Sequence, residues 1–429
     1  MNIHNMLFVL ENKTLFTQIM RKAKRKYFLS GKNVFDKQLK QLSFMLNYVN
    51  QHCRFYQNIQ YKSIIDFPII DKRILKERYD DFVSDISNRY LYADAYTGGS
   101  TGEPLHFLRS GGYEYEFEVK KWIKYGYRTG DRILALDGTK IEQSLISNNI
   151  FWKRVSQNEL PYGSYAISSL YLTNKNIKMY IDFLISQGAE FWRGYPSFIY
   201  QIACYVINNN ISFPKMKGIE LTSETSYEFQ IQKIKEAFDV PVYLQYGHSE
   251  ACIFGYTYDE SYRYKMEPLY GYVEVLNTNG QQVKVGEIGE VVVTSLHNYV
   301  MPLIRYRTGD YAVWGGIDER YCYLNSVLGR TQDYIISHKG EKVLLTALIF
   351  GQHFKALGNI RRWQIEQFTP GKIIIHIVKD YSYTIDDENE IRNLFSELGN
   401  VDIQFDYAKD IRLTSGGKSL MINQHITGL

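Results

Sequence analysis

The sequence predicts a layered α/β protein with a β-rich portion and a small α+β domain at its C-terminal end. Three observations carry this. Between about 91 and 255, apolar strand-like runs alternate with helical stretches, the pattern of α/β layers. From 270 the texture changes to strands with turn signals between them. After Gly329 and Arg330 a short α+β pattern begins afresh. We therefore expect a large domain over 1–329, a small mobile domain over 333–429 and a hinge at 330–333. At 429 residues the chain exceeds one ordinary core, which agrees with two domains.

The first 90 residues look helical. Leu39, Leu42, Phe44, Leu46 and Val49 are spaced for an amphipathic helix, and Pro68 interrupts later. Within the α/β portion, 132–136 (RILAL) is strand-like and 179–185 helix-like. In the β-rich portion, 271–276 (GYVEVL) precedes Asn279-Gly280, a dipeptide favoured in tight hairpin turns, and 290–294 (EVVVT) continues the sheet. The last domain offers 372–378 (KIIIHIV) as a strand and 387–398 as a helix. No internal repeat stands out.

Composition narrows the function classes. Hydrophobic residues make up 45% and charged residues 22%, a globular profile. The net charge of +4 is small and dispersed, and the one basic run, Arg21 to Lys26, suits a solvated helix face, so no nucleic-acid partner is expected. The 37 tyrosines and 23 phenylalanines are scattered without the register of a base-stacking platform. Cys53, Cys204, Cys252 and Cys322 lack paired spacing, which argues against a disulfide framework or zinc knuckle. The apolar run at 6–10 is too short for a signal sequence and no later run approaches a membrane span; the expectation is a cytoplasmic protein.

Four stretches carry chemistry. Thr97, Gly98, Gly99, Ser100, Thr101 and Gly102 form a strip whose glycines let the backbone approach a ligand, while successive N–H groups and hydroxyls make a concavity for phosphate. The same composition makes ordinary surface turns. A G-x-x-x-x-G-K-[ST] loop would add a lysine that is missing here; residues 417–419 have that ending, but Arg412 stands where its first glycine belongs.

In the second stretch, 243–250 (YLQYGHSE), an apolar strand ends in an aromatic ring, a glycine and a carboxylate. Tyr246 and Gly247 suit a base and Glu250 a magnesium ion; plain core packing is the alternative for Tyr246. Gly247-His248-Ser249-Glu250-Ala251 nearly matches the G-x-S-x-G nucleophile elbow of hydrolases, with alanine at the last position. His248 and Cys252 alone do not make a metal site.

Third, 301–310 (MPLIRYRTGD) supplies Asp310, whose carboxylate can accept both hydrogen bonds of a ribose diol. Arginines here and at Arg330 can reach ribose or phosphate oxygens; a salt-bridged turn is the plainer alternative. Fourth, Ser415-Gly416-Gly417-Lys418-Ser419 sets one lysine on a glycine loop, a composition also found in tails that merely solubilise.

In this order the stretches resemble the adenylate-forming superfamily of acyl-CoA ligases, peptide-synthetase adenylation domains and luciferases. Residues 97–104 resemble its phosphate loop; Thr222, Ser223 and Glu224 with 246–250 resemble its adenine and magnesium segments. Residues 305–310 and 329–330 resemble its ribose and hinge segments, and Lys418 its C-terminal catalytic lysine. TGGSTGEP at 97–104, FWRGYPS at 191–197 and PLIRYRTGD at 302–310 are most similar to the phenylacetate-CoA ligase and CapK capsular-polysaccharide branch. The resemblance covers nearly the whole chain and implies the adenylate-forming fold.

It further implies ATP and Mg²⁺, the latter at Glu250, and attack of a small carboxylic acid on the α-phosphorus to give an acyl-adenylate. An acceptor, the thiol of coenzyme A or an amine such as an amino sugar, then displaces AMP. Lys418 would neutralise transition-state charge and then swing away with its domain. Thr97 to Gly102 would orient the triphosphate without a lysine. Two positions depart from the pattern: Leu105 stands where relatives often carry lysine, and Gln332 where the hinge is often aspartate or lysine. Residues 258–268 contain no cysteine or histidine, so no zinc is expected. Rival readings are a CoA-independent amide-forming enzyme of surface polysaccharide synthesis, a non-catalytic nucleotide-binding protein and a serine hydrolase acting through Ser249. Trp122, Trp192 and Tyr195 are candidate walls of the acid pocket.

Overall fold

The computed structural model describes residues 33–90, 92–96, 105–110, 114–330, 333–345, 356–397 and 399–426. They fall into two compact units, each built from two segments: 1–124 with 245–327, and 125–244 with 328–429. The strand Val242–Gly247 carries the chain from the second unit into the first, and Cys322–Arg330 carries it back.

The first unit is a helix on a largely antiparallel sheet. Its strands run in the order Gly271–Leu276, Ile288–Ser295, Tyr306–Ile317, Cys322–Arg330, Tyr264–Met266 and Phe254–Tyr256, with the end of Val242–Gly247 beside the last. The turn expected at Asn279-Gly280 is present, closed by Gly280 N–H donating to the Asn277 carbonyl, with Gly280 in the left-handed region at φ 73°.

The expected amphipathic helix spans Val34–His52 and buries Val34, Leu42, Met45, Leu46 and Val49. Leu39 and Phe44 lie outside that stripe and are exposed, because the face that meets the sheet follows 34, 38, 42, 45 and 49. Gln38 stands within the stripe and donates to the Gly271 carbonyl at 3.0 Å, which satisfies its amide on the buried side.

The second unit holds a mostly parallel sheet and an α+β portion. The sheet order is Trp152–Arg154, Tyr165–Ser168, Ile133–Asp137, Phe191–Gly194, Gly218–Leu221 and the start of Val242–Gly247, with only the first pairing antiparallel. Ile133, Leu136, Phe191, Ile219 and Leu221 are fully buried, as strands covered on both faces require. Helix Pro196–Asn208 follows Phe191–Gly194 directly. Proline at its first position costs no hydrogen bond, and Phe198, Ile199, Ile202, Ala203 and Val206 are buried.

The α+β portion has a four-stranded sheet, ordered Asp402–Tyr407, Lys372–Lys379, Ile360–Thr369 and Ile422–Gln424, a two-stranded ribbon of Tyr334–Ile336 with Lys342–Leu344, and the helix Ile385–Glu397. Ile365, Ile375, Ile377, Ile391 and Phe395 form its core, each fully buried large apolar side chain stabilising by about 1.5–3 kcal/mol. Tyr227 and Phe229 pack against that core, and the Tyr200 hydroxyl donates to the Ile360 carbonyl at 3.0 Å. No helix among the described residues is long and apolar enough to cross a membrane.

Candidate functional site

In the first unit the two segments singled out at 243–250 and 301–310 meet. Tyr246, at the end of its strand, donates from its hydroxyl to Asp310 Oδ2 at 2.8 Å. Tyr306 donates to Glu250 Oε1 at 3.0 Å. His248 Nδ1 lies 3.1 Å from Glu250 Oε2, within ion-pair distance but without hydrogen-bond alignment. Glu250 is buried. Burial alone would raise its pKa, but the His248 charge and the donors around it outweigh that and bring the carboxyl down to about 2. It is therefore an ionised oxygen donor at neutral pH. Asp310 is half-buried, and its own N–H is held by Thr308 Oγ1 at 3.0 Å.

Tyr306 lies inside the stretch at 301–310 but was given no role from the sequence; His248, weighed there only as a metal ligand with Cys252, stands instead beside Glu250. Arg305, next to Tyr306, turns inward: it donates to Glu274 at 3.1 and 2.9 Å and to the carbonyls of Ile65 and Phe67, both at 3.2 Å. For Arg305 the salt-bridged alternative holds. A cavity of about 660 Å³ is lined in part by this pair, Tyr272 and Met266; it contains neither Glu250 nor Asp310, and its two charges neutralise each other. Ser249 is exposed and, among the described residues, no histidine is hydrogen-bonded to it, so no nucleophile–base pair is assembled there. No group of three or more metal-ligating side chains is present among the described residues.

In the second unit the glycine loop with Lys418 sits on the carboxyl ends of the parallel strands, where ligands of open α/β sheets bind. Within the loop, Gly417 N–H donates to the Thr414 carbonyl at 2.9 Å, and Lys418 N–H to Thr414 Oγ1 at 3.0 Å. Gly417 takes φ 74°, which glycine adopts without strain. Three strand ends hold the loop from outside. Ser169 Oγ donates to the Gly417 carbonyl at 2.9 Å, Tyr195 Oη to the Gly416 carbonyl at 3.1 Å, and Ser419 N–H to Glu224 Oε1 at 2.7 Å.

Gly138, just past Ile133–Asp137, makes room for the loop: a Cβ there would lie 1.6 Å from the Gly416 oxygen. Lys418 Nζ stands 5.7 Å from the centre of the Tyr195 ring. The loop thus touches the 222–224 segment through Glu224, while Ser223 is exposed at φ 70°. Burial raises the Glu224 pKa, against the hydrogen bonds from Ser197 and Ser419 and the Lys418 charge.

The remaining expected residues divide as follows. Thr97, Gly98, Gly99, Ser100, Thr101 and Gly102 lie outside the described residues; the strands flanking them, Tyr92–Tyr96 and His106–Ser110, pair antiparallel with Tyr96 opposite His106. Gly247 is exposed. Arg330 ends the strand Cys322–Arg330, and Gln332 lies outside the described residues. Leu105 is buried. Trp122 and Trp192 are fully buried core, Trp192 edge-on to Phe213 and Phe238; of the three candidate pocket walls only Tyr195 reaches the loop.

Residues 335–425 match the CapK C-terminal domain. The chain is 25% identical to Protein CapK of Staphylococcus aureus over 418 residues, covering 90% of this chain and 88% of that protein. Among solved structures, it is similar to a 2-hydroxyisobutyryl-CoA ligase in its postadenylation state in complex with R3-HIB-AMP. That match has a TM-score of 0.67 and 16% identity, and covers 90% of this chain and 88% of the ligase. It is also similar to the acyl acid amido synthetase AtGH3.15 in complex with 2,4-DB, with a TM-score of 0.58, 16% identity and 89% of each chain covered. The chain has the fold of the adenylate-forming ligases, resembles CapK along nearly its whole length and matches the CapK C-terminal domain over 335–425.

Proposed function

We propose that the protein is an AMP-forming ligase that activates a small carboxylic acid with ATP and passes the acyl group to a thiol, as in coenzyme A, or to an amine. The observation that carries this reading is the seating of Lys418 on the carboxyl edge of the parallel sheet, held there by Ser169, Tyr195 and Glu224. A carboxylate is a poor acyl donor, and an acyl-phosphate anhydride with AMP as leaving group removes that barrier. The ammonium of Lys418 offsets negative charge that grows at the α-phosphorus as the carboxylate oxygen attacks. Asp310, oriented by Tyr246, accepts from the ribose hydroxyls. Glu250, kept ionised, offers the hard oxygen that Mg²⁺ takes; one protein carboxylate with substrate phosphates is the usual way this ion is held, and it would supply charge neutralisation to the triphosphate. Residues 97–102 contribute amides and hydroxyls to the same phosphates.

Residues 333–429 then rotate about 330–333, which withdraws Lys418 and opens the adenylate to the acceptor. Both acceptor classes occur on this fold, in the CoA ligase and the amido synthetase, and the CapK likeness supports an amine such as an amino sugar. Consumption of ATP supports a cytoplasmic site of action.

The test is ATP–pyrophosphate exchange across a panel of carboxylic acids, followed by AMP release with and without CoA. Lys418→Ala should lower exchange by about 10²- to 10³-fold, as loss of a transition-state charge partner does. Consumption of a supplied acyl-adenylate should change by less than about threefold. Equal loss in both steps would refute the two-position scheme, and AMP turnover indifferent to CoA would assign the amine.

A further inference from the structure

We propose that Glu224 is the latch of the Lys418 loop: a positioning residue that clips the lysine into place for the first half-reaction and lets it go for the second. This rests on the ligase reading above. The two oxygens of the carboxylate serve different masters. Oε2 accepts from Ser197 N–H at 3.1 Å and Oε1 from Ser419 N–H at 2.7 Å. Ser197 is the second residue of helix Pro196–Asn208, and because proline precedes it, its amide is the first the helix presents. The carboxylate thus sits on the positive end of that helix, which favours its negative charge and fixes its position whether or not the loop is present. The second oxygen is left to capture the residue next to Lys418.

The other two holds on the loop are of a different kind. Ser169 and Tyr195 donate neutral hydroxyls to the carbonyls of Gly417 and Gly416, whereas Glu224 accepts with a charge, and charge-assisted hydrogen bonds are roughly twice as strong. Two cations balance it. Lys418 is one. Arg362 is the other: it is 8% exposed, pairs through Nη1 with Asp410, feels the Glu224 charge, and has no hydrogen-bond partner for its buried Nε. When the loop departs, Glu224 gives up one hydrogen bond and keeps the other. The carboxylate then waits on the helix end, ready to receive Ser419 again. An ordinary helix cap would hold the helix alone; this one spends half its bonding capacity on a segment 195 residues further along the chain.

The experiment uses the full-length protein and the variants Glu224→Ala and Glu224→Gln. Amide hydrogen exchange at 414–421 is followed without substrates, and the two half-reactions are measured separately, by ATP–pyrophosphate exchange and by consumption of a supplied acyl-adenylate. Loss of one charge-assisted hydrogen bond corresponds to about 10- to 100-fold. Glu224→Ala should therefore speed amide exchange at 414–421 and slow ATP–pyrophosphate exchange by about that factor, and slow adenylate consumption by clearly less. Glu224→Gln, which keeps an acceptor but not the charge, should fall between. If Glu224→Ala leaves amide exchange in the loop unchanged, or slows both half-reactions equally, the latch is refuted. If the wild-type protein shows no ATP–pyrophosphate exchange with any acid while the variant's loop still exchanges faster, the ligase reading falls and the tether stands.

Discussion

Replacing Gly138 with alanine should place a wedge under the Lys418 loop. A Cβ at that position would lie 1.6 Å from the Gly416 oxygen and 2.4 Å from its carbonyl carbon, against backbone that cannot rotate aside as a side chain would. Ordinary carbon–oxygen contacts begin above about 3 Å, so the loop must retreat by roughly 1.5 Å or stay undocked. Gly138 itself is not in the left-handed region, so alanine introduces no backbone strain of its own there.

Lys418 follows Gly416 by two residues and moves with it. A misplacement of about 1 Å in a positioned catalytic group costs about 10²-fold, so ATP–pyrophosphate exchange in Gly138→Ala should fall by about that factor, near 2.7 kcal/mol in the barrier. On the proposed two-position scheme, the second half-reaction, which would need the loop elsewhere, should stay within about threefold of wild type. Urea unfolding measured alongside distinguishes the wedge from a general loss of stability. Exchange within about threefold of wild type, or an equal drop in both steps, would refute the idea that the docked loop is the adenylating arrangement.

Two further outcomes test the first unit. Arg305→Met strands the buried Glu274 carboxylate and takes a donor from the Ile65 and Phe67 carbonyls, so urea unfolding should show a loss of about 3–5 kcal/mol. Arg305→Met with Glu274→Leu should recover most of it. Burial already pushes the Glu274 pKa up; without its arginine the pKa rises further, and the single variant's deficit should widen as pH rises, since stability carried by the protonated form is lost through the folded pKa. A deficit that is the same at pH 5 and pH 8 counts against this account. Glu250 has the opposite sign. Its carboxyl is held at about 2, below its ordinary 4.5, so its contribution is complete above 4.5 and is lost as pH falls toward 2. The stability difference between wild type and Glu250→Gln should shrink over that window, and an unchanging difference in acid urea titrations would contradict it.

Much of the fold was legible in the sequence. The strand expected at 132–136 is Ile133–Asp137, the helix at 179–185 is Ile177–Gln187, and the strand at 372–378 is Lys372–Lys379. Each rests on periodicity and on turn residues a few positions away, such as Gly188 in the left-handed region just past the second. The candidate site was legible as a set of stretches for the same reason. Tyr246, Glu250, Asp310 and Lys418 stand beside glycines and strand ends that mark them locally.

Their partners were not legible. Tyr246 and Asp310 are 64 residues apart, Tyr306 and Glu250 are 56 apart, and Glu224 and Ser419 are 195 apart. Nothing local in either member of such a pair encodes the other, because strand order and register decide who meets. Arg305 shows the reverse case. Its sequence neighbourhood suggested a ligand, and Glu274 on another strand claimed it, because a charge taken out of water must be matched by the nearest opposite charge the fold supplies. The sequence by itself determined the elements and the chemical groups at their ends; the tertiary structure alone decided which of those groups face one another, since burial, pairing and the reach of a side chain exist only once distant segments are side by side.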